Sequence, residues 1–111
     1  MDIEKLIKIQ KSIYKKIEIK PFNKNFEKIL AFDVSFDRDD GYCAGVMLDR
    51  DFKIIEKRYT FERVKFPYIS GFLMFRELPL VLKTYKKFKN EADIILIDGQ
   101  GTLHPRRCGI A

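Results

Sequence analysis

The chain has 111 residues, of which 46% are hydrophobic and 14% aromatic. This length and composition predict one folded domain over residues 1–111 and exclude a disordered chain. A net charge of +6 favours polyanionic partners, nucleic acid above all. No apolar run approaches the roughly 18 residues of a membrane span, so we expect no membrane partner. Cys43 and Cys108 lack the spacing of a zinc site, which predicts reduced thiols in a cytoplasmic protein.

The first half of the chain predicts one helix followed by three strands. Between residues 3 and 17, apolar residues recur at three- and four-residue steps among lysines, the pattern of an amphipathic helix with a basic outer face. Pro21 ends this helix, and residues 21–24 form a connector. Three apolar and aromatic segments joined by short polar turns then predict an antiparallel meander; they span residues 28–36, 42–48 and 52–64.

The second half predicts a loop, helical segments and a buried strand. In the loop, residues 66–71, a proline and a glycine bracket large side chains. A helical segment starts at Phe72, and Pro79 suits the first position of a new helix better than the interior of a continuous one. Residues 92–97 are almost wholly apolar, which predicts a parallel strand covered on both faces. The order predicts an α/β fold with a mixed sheet of three antiparallel strands and one parallel core strand.

Three carboxylates converge if the first and fourth strands are neighbours and a helix crosses over them. Asp33 lies in an apolar strand, where a carboxylate is costly unless it is paired, hydrogen-bonded or bound to metal. Glu77 lies in the first helical segment, and Asp98 ends the last strand. Three oxygen ligands suit Mg²⁺ or Mn²⁺ and phosphodiester chemistry. Each residue also has a structural alternative: a strand edge, a helix surface and an Asp–Gly turn, respectively.

The segment after the last strand holds the only histidine and two arginines. His104 could ligate metal, contact phosphate or exchange protons near neutral pH, or it could be a solvated residue of a basic loop. Arg106 and Arg107 could bind phosphate bidentately. Gly99 and Gly101 allow close approach of a ligand to the backbone.

Tyr68 and Ile69 lie near the tip of the 66–71 loop. They could insert into a nucleic-acid stack, as aromatic and apolar side chains do when they unstack bases. They could equally fold inward as core residues. The loop alone does not decide between these two interpretations.

Five segments, in order and at close to the family's spacing, resemble endonuclease V: Phe32-Asp33-Val34-Ser35-Phe36, Phe66-Pro67-Tyr68-Ile69-Ser70-Gly71, Phe75-Arg76-Glu77, Ile97-Asp98-Gly99-Gln100-Gly101 and His104-Pro105-Arg106-Arg107. The resemblance covers residues 29–111. It implies an RNase H-like fold and an endonuclease of nucleic-acid repair that depends on Mg²⁺ or Mn²⁺. Its substrates would be DNA or single-stranded RNA containing inosine, cut one nucleotide beyond the inosine on the 3′ side.

The resemblance also implies a role for particular residues. The metal-binding carboxylates would be Asp33, Glu77 and Asp98, and His104 would line the active site. The wedge that fills the gap left by the flipped base would be Pro67, Tyr68, Ile69 and Ser70. The pocket for that base would be formed by Gly71, Leu73, Gly99, Gly101, His104 and Gly109.

Two departures from the family pattern leave alternatives open. Bacterial members often have proline where this chain has Ser70, and a serine there also occurs in eukaryotic members that favour RNA, so DNA and RNA both stay possible. The family continues with a further strand, more helix, a catalytic lysine and a last metal ligand. We therefore expect a domain that is incomplete at its C-terminal end. It would be a fragment, or it would complete its site with another chain, or it would be an inosine-binding module that does not cleave. A basic RNA-binding protein is a further alternative, and it would need no carboxylates.

Overall fold

A computed structural model of the protein describes residues 2–19, 25–67, 69, 71–99 and 104–110. The elements are α1 (Ile3–Tyr14), β1 (Ile29–Asp37), β2 (Asp40–Leu48), β3 (Ile54–Arg63), α2 (Leu73–Tyr85) and β4 (Ile94–Ile97). The predicted mixed sheet is confirmed: its order is β3-β2-β1-β4, with β1–β2 and β2–β3 antiparallel and β4 parallel to β1. The predicted connector 21–24 lies outside the described residues. In the part of the chain that is described, no helix has the length and hydropathy to cross a membrane.

The core lies between α2 and one face of the sheet. Side chains alternate across a strand, and β1 turns Leu30 and Phe32 toward the helix while β2 contributes Met47. From α2, Leu80 and Val81 close this core and are almost completely buried. This packing fixes the position of α2 in relation to the strands.

The N-terminal helix forms as predicted but buries an unexpected residue. It begins at its cap Asp2, whose Oδ1 accepts the backbone N–H of Lys5 at 3.1 Å, and it ends at Tyr14 rather than at residue 17. Ile3 and Ile9 stay 40% and 37% exposed, whereas Gln10 is fully buried. The buried side of α1 thus places one polar residue, Gln10, among the half-buried Leu6, Ile7 and Ile13.

The predicted new helix at Pro79 is wrong, because α2 runs through this residue without a break. Proline inside a helix costs about 3 kcal/mol, since one backbone hydrogen bond is lost and the ring crowds the preceding turn. Pro79 lies on the exposed side of α2, while Leu80 and Val81 beside it pack into the core. Burial of these two side chains across the sheet outweighs the local penalty.

The parallel pairing of the last strand is confirmed, but the prediction that both its faces are covered is wrong. Ile95 and Leu96 are 46% and 54% exposed. The strand lies at the edge of the four-stranded sheet, where β1 is its one neighbour. Apolar composition alone does not distinguish such an edge strand from a central one.

Candidate active site

The strand register places Asp33 beside Asp98. The last pair of the parallel β1–β4 ladder is Phe32 and Ile97, so the next residue along each strand is one of the two aspartates. Parallel strands run in the same direction, and the two carboxylates therefore project from the same edge region of the sheet. Both side chains are exposed.

Glu77 joins the two aspartates from α2. It lies one helical turn after Leu73, on the same side of the helix. Together these elements enclose a cavity of about 220 Å³ lined by Phe32, Asp33, Val34, Leu73, Glu77, Ile97, Asp98 and Gly99. The structure thus brings together the three carboxylates with Leu73 and Gly99, which are all candidate site residues from the sequence.

The carboxylates interact electrostatically in this cavity. Partial burial raises the pKa of Glu77, and the nearby charges of Asp98 and then Asp33 raise it further, while Arg76 partly offsets the effect. Ionised Glu77 is therefore costly, because it is removed from water and faces like charges. A perturbed carboxyl group in a cleft is a physical indication of a functional site.

The donor set suits a hard divalent cation that keeps part of its hydration shell. Carboxylate oxygens are the ligands that Mg²⁺ and Mn²⁺ prefer. Within residues 2–19, 25–67, 69, 71–99 and 104–110, however, no three His, Cys, Asp or Glu side chains are arranged so that together they could hold a metal ion. A cation in the cavity would therefore bind to fewer than three of these side chains at once, and waters and substrate phosphate would complete its shell, as is usual for Mg²⁺.

His104 does not line the carboxylate cavity. The ring is buried, its Nδ1 accepts the backbone N–H of Arg106 at 3.0 Å, and its Nε2 is hydrogen-bonded to the carbonyl of Gly71. Because Nδ1 accepts, the proton lies on Nε2 and is donated to that carbonyl. A direct role of His104 in the chemistry stays a prediction.

Arg106 is directed at the same carbonyl. Its Nη2 donates to the oxygen of Gly71 at 2.9 Å, and its guanidinium carbon lies 4.5 Å from the centre of the Phe72 ring. The exposed neighbour Arg107 has a positive φ of 54°. Of the two arginines, Arg107 is the one whose side chain faces solvent, and phosphate binding by either stays a prediction.

Three of the remaining candidates are described, and none of these three lines the cavity. Pro67 is exposed, whereas Ile69 and Gly109 are half-buried. Three further residues lie outside the described part of the chain: Tyr68, Ser70 and Gly101. The wedge assigned to residues 67–70 therefore stays a prediction.

Sequence reasoning missed two residues that anchor the 66–71 loop. Buried Arg76 donates through Nη1 to the carbonyl of Phe66 at 2.8 Å, and Gln10 donates to that of Gly71 at 2.9 Å. Gln10 stands at helical spacing from Leu6 and Ile13, so a polar residue within an apolar stripe was the available signal. Arg76 lies within the family-like segment Phe75-Arg76-Glu77, but the segment alone does not indicate that its side chain binds the loop.

A mixed sheet with a parallel edge strand, a helix packed across it and carboxylates gathered beside that strand define an RNase H-like nuclease domain. The family model described as Endonuclease V matches residues 11–111, which is most of the chain. The chain belongs to the endonuclease V family.

Curated relatives support this assignment along the whole chain. Endonuclease V of Thermosipho melanesiensis is 41% identical over 108 residues, covering 97% of this chain and 48% of the relative. Endonuclease V of Clostridium acetobutylicum is 43% identical over 110 residues, covering 93% and 47%. The chain thus spans about half the length of the curated relatives it matches.

Solved structures share the fold. Endonuclease V from Streptomyces avermitilis superposes with a TM-score of 0.90 at 28% identity, covering 98% of this chain and 50% of that one. Endonuclease V from Ciona intestinalis, in complex with a 24-nucleotide DNA containing an inosine followed by a ribo-adenosine, has a TM-score of 0.85 at 27% identity, with 97% and 50% covered.

Proposed function

We propose that the protein hydrolyses a phosphodiester bond in nucleic acid that contains inosine, one nucleotide beyond the inosine on its 3′ side, in nucleic-acid repair. The observation that carries the proposal is the cavity in which Glu77 faces Asp33 and Asp98 and has a raised pKa. The inosine-containing DNA bound to the Ciona intestinalis relative supports the choice of substrate. The substrate under this proposal is inosine-containing DNA, single-stranded RNA or both, and the assay below distinguishes them.

Asp33, Glu77 and Asp98 would hold Mg²⁺ or Mn²⁺ in the cavity. The bound ion would supply an activated water and stabilise the leaving oxygen. The negatively charged carboxylates repel a phosphate group. The scissile phosphate can therefore lie only where a bound cation bridges it to them. Leu73 and Gly99 belong to the uncharged part of the wall, together with Phe32, Val34 and Ile97, where a nucleotide can approach without meeting a carboxylate.

The wider surface fits the same proposal. A net charge of +6 attracts the phosphate backbone regardless of sequence, while wedge residues 67–70 would supply selectivity for the flipped base.

The predicted free thiols are confirmed, since Cys43 and Cys108 are both buried and unbridged. Such thiols support a reducing, cytoplasmic location, and the shared core of α2 and the sheet supports a single domain.

A second candidate function is binding of inosine-containing nucleic acid without cleavage. It is favoured by one observation: within the described residues, no three His, Cys, Asp or Glu side chains are arranged so that together they could hold a metal ion. A binder would still use the wedge and the basic surface. It would gain nothing from three converging carboxylates, which repel phosphate, and this is why cleavage is the first proposal.

A cleavage assay separates the two functions. The substrates are labelled single-stranded DNA and RNA with one inosine, or with adenosine at that position, in Mg²⁺, Mn²⁺, Ca²⁺ or EDTA. We expect a nick one nucleotide 3′ of the inosine that Asp98→Asn reduces by about 100-fold or more, with binding in Ca²⁺ retained. The matched control is Asp51→Asn, which makes the same charge change in an exposed turn.

Each outcome has a definite meaning. Inosine-selective binding with no nick in any metal would replace the first function by the second. Loss of cleavage in both variants would show a charge effect unrelated to the cavity. Equal binding of inosine and adenosine, with no nick, would contradict both functions.

A further inference from the structure

Helix α1 is joined to the rest of the molecule through a buried amide. Among the described residues, close backbone contacts connect α2 and the strands, but α1 takes part in none of them. Its one buried residue is Gln10, which is completely inaccessible to solvent. The amide Nε2 donates to the Gly71 carbonyl at 2.9 Å, and Oε1 accepts from Nε of Arg106. A buried apolar residue would add stability with little directionality, whereas an amide with both ends bonded imposes an orientation.

The carbonyl of Gly71 is the centre of this arrangement. It receives hydrogen bonds from three side chains: those of Gln10, His104 and Arg106. A carbonyl oxygen has two lone pairs, so three donors saturate it. Gly71 has a φ of +85°, and a Cβ there would lie 2.6 Å from Nη2 of Arg106, so only glycine fits. The backbone conformation at this point is therefore held from three directions.

The saturated carbonyl lies at one end of the predicted wedge. At the other end, buried Arg76 donates to the carbonyl of Phe66 at 2.8 Å. Residues 67–70 are thus bounded on both sides by backbone carbonyls bonded to buried or half-buried side chains. Two residues after Gly71, Leu73 lines the carboxylate cavity, so Gly71 lies between the predicted wedge and the cavity wall along the chain.

We propose that Gln10 is a positioning residue for inosine selection, which holds the backbone at Gly71, directly after the predicted wedge, through its hydrogen bond to the Gly71 carbonyl. The inference rests on the proposed function. Its physical basis is preorganisation: a segment already fixed before binding loses less conformational entropy when it fills the gap left by a flipped base. Gln10 itself touches neither substrate nor metal in this role.

Two variants of Gln10 test the proposal against one control. Gln10→Met removes both hydrogen bonds and keeps the length of the side chain. Gln10→Glu keeps an acceptor for Arg106 but replaces the donor to Gly71 by a carboxylate oxygen. The control, Ser12→Ala, alters an exposed residue on the same helix. Dissociation constants are measured by fluorescence anisotropy in Ca²⁺, on oligonucleotides with inosine or adenosine at one position.

In both Gln10 variants, we expect the ratio of the dissociation constant for adenosine to that for inosine to fall by about tenfold. This is the effect of losing one or two hydrogen bonds. The loss should come from weaker inosine binding, while adenosine binding changes little. In amide hydrogen exchange, the N–H of Phe72, which is bonded to the carbonyl of Ile69 at 2.9 Å, should exchange faster. Exchange in β1 and β2 should match the wild type, as should all results for Ser12→Ala.

Three outcomes would overturn the inference. The first is an unchanged inosine preference in both Gln10 variants when the wild type has one, which leaves the proposed function standing. The second is faster exchange throughout the sheet in both variants, which would make Gln10 a residue of general stability. A wild type that binds inosine and adenosine equally would overturn the proposed function too, and with it any part of Gln10 in inosine selection.

Discussion

At two acidic sites of the molecule, both associated with α2, the surroundings shift the pKa of a glutamate in opposite directions. Beyond the C-terminal end of the helix, Glu56 accepts the backbone N–H groups of Lys89 and Asn90 at 2.9 and 3.2 Å. The side-chain amide of Asn90 lies 2.8 Å away and Arg58 2.6 Å away. These donors, with the backbone of Lys89 first, lower the pKa of Glu56 to about 2. Near the other end of α2, burial and two aspartates raise the pKa of Glu77.

The difference shows how a structural carboxylate can be told from a functional one. At Glu56, the protein supplies the hydrogen-bond donors that stabilise the charge, and the site is complete in itself. At the cavity, the exposed Asp33 and Asp98 bring their like charges close to the partly buried Glu77. A bound cation would offset this repulsion. A site that lowers stability until its ligand binds is typical of function.

The largest expected effect is on the cleavage rate, which should distinguish the two acidic sites. Glu77→Gln should reduce metal-dependent cleavage by about 100-fold or more, because one of the oxygen anions in the cavity is lost. Glu56→Gln, the same chemical change at the other site, should leave the rate per folded molecule within about twofold, since stable structural sites act on folding rather than chemistry. Initial rates on inosine-containing oligonucleotides check this prediction, and equal losses in both variants would contradict it.

The second effect concerns acid stability at Glu56. A carboxyl group whose pKa is lower in the folded protein contributes stability that is present above its unfolded value and is lost as the pH falls through its folded value. For Glu56 these values are 4.5 and about 2. Glu56→Gln should therefore lower the melting temperature at pH 7, and this difference should largely disappear near pH 2. Thermal unfolding followed by circular dichroism at pH 7, 4 and 2.5 measures it.

A difference that stays constant over this pH range would show that Glu56 acts through packing rather than through its charge. The exposed Glu91 offers a matched control. Glu91→Gln makes the same change outside both sites, and its melting temperature should follow that of the wild type at each pH.

The smallest expected effect is on the melting temperature of Glu77→Gln, and its sign is opposite to that of Glu56→Gln. The pKa of Glu77 is raised in the folded protein, so the stability linked to its protonated form is present below the unfolded value and is lost as the pH rises through the folded value. Glutamine cannot ionise, and Glu77→Gln should raise the metal-free melting temperature at pH 7. The gain should shrink toward pH 4. A lower melting temperature at pH 7, with metal absent, would contradict the interpretation that burial and the two aspartates destabilise ionised Glu77.

Much of the fold could be predicted because it follows from local patterns. Alternation of apolar and polar residues with short turns predicts the three-stranded meander, and the apolar run before Asp98 predicts a strand parallel to β1. Once the two strands are adjacent, their common direction places Asp33 beside Asp98. The family motifs, in order along the chain, identified the same carboxylates independently.

The continuity of α2 at Pro79 could not be predicted, because the local cost of proline is offset by packing on residues distant in sequence. The same holds for the exposure of β4, which depends on which strand lies next to it. The ends of a helix or strand and its burial depend on the elements packed beside it in the fold. A short apolar segment of sequence carries no information about those elements.

Residue types and spacing were sufficient for the sheet, the family and the identity of the three carboxylates, because backbone preferences and side-chain alternation are local properties of a chain. The raised pKa of Glu77 and the burial of Gln10 came only with the tertiary structure. Gln10 meets Gly71 and Arg106 across 61 and 96 positions of sequence. Desolvation and hydrogen-bond saturation depend on such distant groups, and both take effect only when the fold brings them together.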